Sequence, residues 1–127
     1  MNDKKILLMD DEAPIIDILS VFLGRLDFEV YSAGNGTEAL RIFKEEYEKG
    51  NKFSLSILDV SVPGDLGAKE LIGPLKEIDP DIKVIISSGD SVQGAMENPL
   101  EFGFSGALKK PFRSADLKKV IDRVLNQ

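Results

Sequence analysis

Residues 4–12 read KKILLMDDE: two lysines, an unbroken apolar run from Ile6 to Met9, then Asp10, Asp11 and Glu12. An apolar run this short and without alternation suits a strand buried on both faces. The abrupt turn to acid at Asp10 marks the carboxyl end of that strand. The same pattern recurs along the chain at Phe28–Ala33, Leu55–Leu58, Val84–Ile86 and, more weakly, Ala107-Leu108. Helix-period segments lie between these runs. Ile15, Ile16, Leu19, Phe22, Leu23 and Leu26 share one helical face, with Pro14 acceptable in the first turn. Ala39, Leu40, Phe43 and Tyr47 repeat the spacing, with Asn35 or Thr37 as N-cap and Gly50 as the stop. Leu71, Leu75 and Ile78 form a third helix that Gly73-Pro74 should kink. Ser114 caps a last helix carrying Leu117, Val120, Ile121 and Val124. Gly94 and Pro99 interrupt the stretch from Ser91 to Gly103. Strand–helix alternation repeated in this way predicts a doubly wound α/β fold: a five-stranded parallel sheet with helices on both faces. There is no repeat, low-complexity tract or linker, so residues 1–127 read as a single domain.

Composition narrows the chemistry. The chain has 127 residues and sets 16 Lys and Arg against 22 Asp and Glu, a net charge of −6. An acidic balance disfavours direct binding to nucleic acid, whose phosphates need a basic face. Histidine and cysteine are both absent. Triads and dyads built on histidine, thiol catalysis, disulfides and sites with His or Cys metal ligands are therefore excluded. No apolar run approaches the ~18 residues of a membrane span, and no cleavable leader precedes Ile6, so a cytoplasmic protein without membrane contact is expected.

In doubly wound sheets function gathers at the carboxyl ends of the strands. Those ends hold Asp10-Asp11, Asp59, Ser87-Ser88-Gly89 and Lys109-Lys110-Pro111. If the first and third strands are neighbours, Asp10, Asp11 and Asp59 converge. Two carboxylates ~4–5 Å apart repel by about 4 kcal/mol at an effective dielectric of ~20. A hard divalent cation with oxygen ligands relieves that repulsion, and Mg²⁺ does so with one or two carboxylates and several waters. Lys110 adds a point charge and Ser88 a hydroxyl, and the set suits phosphoryl transfer to an aspartate. Each residue alone has a plainer reading. Asp10-Asp11-Glu12 could be an acidic helix start, Asp59 a turn residue, Ser88 a strand-end hydroxyl, and Lys110 a surface lysine. Their coincidence at matching strand ends is what points to a site.

With these residues in view the chain resembles the receiver domains of two-component response regulators, over about Lys4 to Leu125. The motifs are the acidic pair in LLMDDE, the acceptor in LSILDVSVPGDLG, the hydroxyl in VIISSGDS and the lysine of KKPF. Within the family it looks most like receivers found with hybrid sensor histidine kinases, although Asp65-Leu66 and Ala68 replace part of their glycine-rich segment. The resemblance implies a flavodoxin-like fold with Asp59 as phospho-acceptor. It implies Mg²⁺ held by Asp10, Asp11, Asp59 and the Ser61 backbone carbonyl. Ser88 and Lys110 would engage the phosphoryl group, with a cis peptide before Pro111. Gly89 leaves room for the phosphoryl group and its donor, and Ser61 and Asp90 tune dephosphorylation. The donor would be a sensor histidine kinase or a histidine phosphotransfer protein. One departure is Ala107, where the family usually carries an aromatic switch residue.

The function so implied is a phospho-accepting receiver that catalyses only the modification of its own aspartate. One alternative is a degenerate receiver acting as an interaction module, against which the intact Asp10, Asp11, Asp59, Ser88 and Lys110 set argues. The other is an aspartyl-nucleophile phosphatase, which needs a second acid near its nucleophile where Ser61 stands here.

Overall fold

The computed structural model describes residues 4–60, 62, 64–89 and 98–126. Strands β1 (Lys5–Met9), β2 (Glu29–Ala33), β3 (Leu55–Asp59), β4 (Val84–Ser88) and β5 (Gly106–Lys109) form one sheet. All its pairings are parallel and the order is β2-β1-β3-β4-β5. Helices α1 (Ala13–Arg25), α2 (Gly36–Glu48), α3 (Ala68–Ile78) and α4 (Ser114–Leu125) connect or follow the strands. The flavodoxin-like architecture is therefore present.

Alternation along the strands divides the core in two. Leu7, Met9, Leu58, Val84 and Ile86 face α2 and α3 and pack with Ala39, Phe43, Leu71 and Leu75. Ile6, Leu8, Ile57, Ile85 and Leu108 face α1 and α4 and pack with Leu19, Leu23, Leu117 and Val124. The central strands β3 and β4 are buried along their whole length. That is why they read as apolar runs rather than as alternating ones.

Several local expectations are refined. Asn35, not Thr37, caps α2, its side chain accepting from the Glu38 N–H at 2.9 Å. Gly50 follows that helix at φ +85°, the left-handed turn that favours glycine. Ser114 is the first residue of α4 rather than its cap; Arg113 holds the cap position and its N–H donates to the Asp116 carboxylate at 2.9 Å. A serine can cap only from outside the first turn, and Asp116 reaches back instead. Helix α3 runs unbroken through Gly73-Pro74, with Leu71 and Leu75 fully buried on either side of the missing donor. Pro99 opens a 3-10 turn, Pro99–Phe102, where a fixed φ and an absent N–H are tolerated. The rest of the interrupted stretch, residues 91–97, lies outside the described residues. Among the described residues no helix is long and apolar enough to cross a membrane.

Candidate functional site

Register brings the acids together. Met9 pairs with Leu58, so Asp10 and Asp59 leave adjacent strands side by side. Carboxylate oxygens of Asp10, Asp11 and Asp59 lie within 4.8 Å of one another. Asp10 and Asp59 are buried, whereas Asp11 is exposed at the rim. The convergence expected from the strand ends is thus realised.

Lys110 reaches into this cluster from the end of β5. Its Nζ stands 2.6 Å from Asp10 Oδ2 and 3.7 Å from Asp59 Oδ2. Burial pulls the Lys110 ammonium toward neutrality, but the hydrogen bond to Asp10 and the charges of Asp59 and Glu12 outweigh it. Its pKa is held above the ordinary lysine value. The second oxygen of Asp10, Oδ1, accepts from the Glu12 N–H at 2.9 Å. Both oxygens of the buried carboxylate are therefore engaged. The Lys110–Pro111 peptide is cis, as the resemblance implied, and the Lys110 N–H donates to the Ser88 carbonyl at 2.9 Å, tying the ends of β4 and β5.

The strand pattern explains why these particular residues meet. Asp10, Asp59 and Lys110 each stand two positions beyond Leu8, Ile57 and Leu108, members of one core cluster. Side chains two apart on a strand share a face, so all three project above the α1–α4 core. Ser88 lies two beyond Ile86 of the other cluster and so approaches from the opposite face of β4. It is buried. Gly89 borders the lysine: a Cβ there would stand 3.9 Å from Lys110 Cβ. Ser61 and Asp90 lie outside the described residues.

Two further features were not read from the sequence. Asp65 accepts from the Thr37 N–H at 3.0 Å, the Thr37 hydroxyl at 2.9 Å and the Leu66 N–H at 2.6 Å. Those bonds, the Leu66 one foremost, hold its pKa below the ordinary carboxylate value. They also clamp the segment after Asp59 onto the start of α2. Gly36 makes that approach possible, since a Cβ there would overlap the Leu66 carbonyl. Ala107, half-buried in β5, borders an open cleft of about 370 Å³ lined also by Lys109, Lys119 and Arg123.

The carboxylates fit a hard cation such as Mg²⁺, because a group of oxygens this close and partly buried is stabilised by a positive charge, and Lys110 already supplies one. The comparisons with known proteins agree with the geometry. A protein of Porphyra purpurea described as "Probable transcriptional regulator ycf27" is 37% identical over 98% of this chain and 48% of its own length. The chain thus spans about half the length of that relative. A crystal structure of a response regulator receiver domain protein from Clostridium thermocellum superposes with a TM-score of 0.80. It is 32% identical and covers 97% of this chain and 94% of its own. A response regulator of Burkholderia pseudomallei, solved with a phosphorylated aspartic acid, a calcium ion and citrate, gives a TM-score of 0.78 at 25% identity, over 92% of this chain and 65% of its own. Residues 6–122 match the family described as response regulator receiver domain, and the chain belongs to that family.

Proposed function

We propose that this chain accepts a phosphoryl group on Asp59 from a phosphohistidine of a sensor histidine kinase or histidine phosphotransfer protein. The observation that carries the reading is the Asp10–Asp11–Asp59 cluster with the Lys110 ammonium 3.7 Å from the Asp59 carboxylate. Asp11, Asp59 and Asp10 would hold Mg²⁺, with the Ser61 carbonyl as a further ligand. When bound, that ion neutralises the carboxylates and draws the phosphoryl oxygens toward Asp59. An Asp59 oxygen forms the new O–P bond as the P–N bond to the donor imidazole breaks, and that ring, already protonated on its other nitrogen, leaves as neutral imidazole. Lys110 and Ser88 then pair with the phosphoryl oxygens. The chemistry is self-modification rather than turnover of a substrate. The chain has no histidine, so the donor belongs to another domain or molecule. The Burkholderia relative with its phosphorylated aspartate and calcium ion supports both halves of the reading.

Acetyl phosphate with Mg²⁺ supplies the test. One phosphoryl group should add, measured by mass, and Asp59→Asn should abolish it. Acid-stable phosphate persisting in Asp59→Asn would point to a serine and refute the acceptor assignment.

A further inference from the structure

Ser87 has no role in the scheme above, yet it occupies a telling position. It pairs in register with Asp59 across β3 and β4. It stands two positions beyond Ile85, and Asp59 two beyond Ile57, both in the core beneath α1 and α4. Ser87 and Asp59 therefore project from the same face as direct cross-strand neighbours. Ser88, on the other face, does not. Lys110 projects from that same face at the end of β5 and carries its ammonium past β4 to Asp59 and Asp10. Ser87 thus lies under the path of the lysine.

The residue is 2% exposed, and its hydroxyl is buried without a hydrogen-bond partner among the described residues. A buried hydroxyl left unmade is unfavourable and rare enough to require an explanation. An apolar side chain would fill this position in a central strand without that penalty.

We propose that Ser87 is a positioning residue whose hydroxyl donates to the Asp59 side chain once that side chain is phosphorylated. The inference rests on Asp59 being the acceptor. In the resting geometry Lys110 already lies beside Asp59. When its ammonium turns to the phosphoryl oxygens, the acyl group of Asp59 loses that neighbour, and Ser87 directly across the ladder is placed to replace it. A bond made only in the phosphorylated state favours that state by its own free energy.

Beryllofluoride with Mg²⁺ mimics the phosphoryl group, and its binding can be followed by amide shifts. Ser87→Ala should weaken beryllofluoride binding about ten-fold, the loss expected for one ordinary hydrogen bond. Its Mg²⁺ affinity should stay that of wild type, and its thermal midpoint should be equal or higher, because an unsatisfied hydroxyl has gone. Ser87→Cys keeps the volume with a weaker donor and should fall between the two. It also serves as the test if the alanine variant is unstable. Wild-type beryllofluoride affinity in Ser87→Ala and Ser87→Cys overturns the proposal, as does an equal loss of Mg²⁺ and beryllofluoride binding. If the wild-type protein binds no beryllofluoride, or Asp59→Asn binds it equally well, the acceptor reading fails and this inference with it.

Discussion

Replacing Lys110 by methionine separates the two jobs its ammonium performs. Methionine keeps most of the apolar stem, so the perturbation is the loss of charge rather than of packing. Nζ lies 3.7 Å from Asp59 Oδ2, an attraction of about 4.5 kcal/mol at an effective dielectric of ~20 and about 1 kcal/mol in water. Asp10 loses more, since its buried Oδ2 accepts from the ammonium at 2.6 Å. Breaking a buried pair from one side is destabilising by about 3–5 kcal/mol. The lysine side chain keeps 13% of its exposure, so the lower figure is the better guide. Without a divalent cation, Lys110→Met should therefore unfold at markedly lower denaturant. Its affinity for Mg²⁺ should move the other way. A dication ~5 Å from an ammonium is repelled by about 1.7 kcal/mol at the dielectric of water and several times more in the interior. Removing the ammonium also frees a carboxylate oxygen. Mg²⁺ should bind ten-fold tighter or more, and saturating Mg²⁺ should restore most of the lost stability. Calorimetric titration measures the first effect and urea unfolding with and without Mg²⁺ the second. If Lys110→Met binds Mg²⁺ no more tightly than wild type, the ammonium and the cation do not compete for these carboxylates. The electrostatic account of the site would then be wrong.

Gly106→Ala should destabilise by about 1–3 kcal/mol in urea unfolding, because the added methyl meets Val124 Cγ2 at 2.9 Å and Val120 Cγ2 at 3.1 Å beneath α4. Mg²⁺ binding should survive it, since those contacts lie in the core rather than at the strand ends. The Asp65 clamp predicts a pH effect with a definite sign. A carboxyl held below its ordinary value of 3.8 stabilises the fold above that pH and loses the contribution as pH falls through the folded value. Acid unfolding of Asp65→Asn should lack that component, and identical acid profiles would show the clamp to be energetically silent.

Much of the site was legible because strand ends are legible. A buried strand must be apolar, so the residue at which polarity returns marks the rim where side chains can meet a ligand. Asp10, Asp59 and Lys110 stand out on that rule. Polarity returns before pairing stops in β4: the apolar run ends at Ile86, and the strand runs on through Ser87 to Ser88. Two small hydroxyls can remain in a central strand because its backbone ladder is complete without them: the Val60 N–H donates to the Ser87 carbonyl and the Lys110 N–H to the Ser88 carbonyl. Strand order was a condition of the argument, since pairing between β1 and β3 is non-local and no periodicity encodes it. The Lys110–Asp10 pair was not foreseen. A lysine expected to serve an incoming anion must rest somewhere before the anion arrives, and the nearest buried carboxylate takes it. The Asp65 clamp escaped notice because a turn aspartate is an ordinary surface residue until the N-terminus of α2 is brought beside it.

The charges themselves imply an order of events. Three carboxylates against one ammonium leave the resting site with two negative charges in excess. A phosphoryl group brought to Asp59 in that condition meets repulsion that the single ammonium, bound to Asp10, cannot offset. On the proposed reading a divalent cation would cancel the excess and compete with Lys110 for the same oxygens, so its binding and the release of the lysine would be coupled. The released ammonium would then be free for the phosphoryl oxygens, leaving the acyl group of Asp59 to a donor that adds no charge. Ser87 and Ser88 approach from opposite faces of β4 and are both neutral, the first placed for that acyl group and the second for the phosphoryl oxygens. A second lysine in place of either serine would compete with the cation for the same carboxylates and weaken its binding. On this argument the site is completed by hydroxyls because its charge is already balanced once the cation is bound.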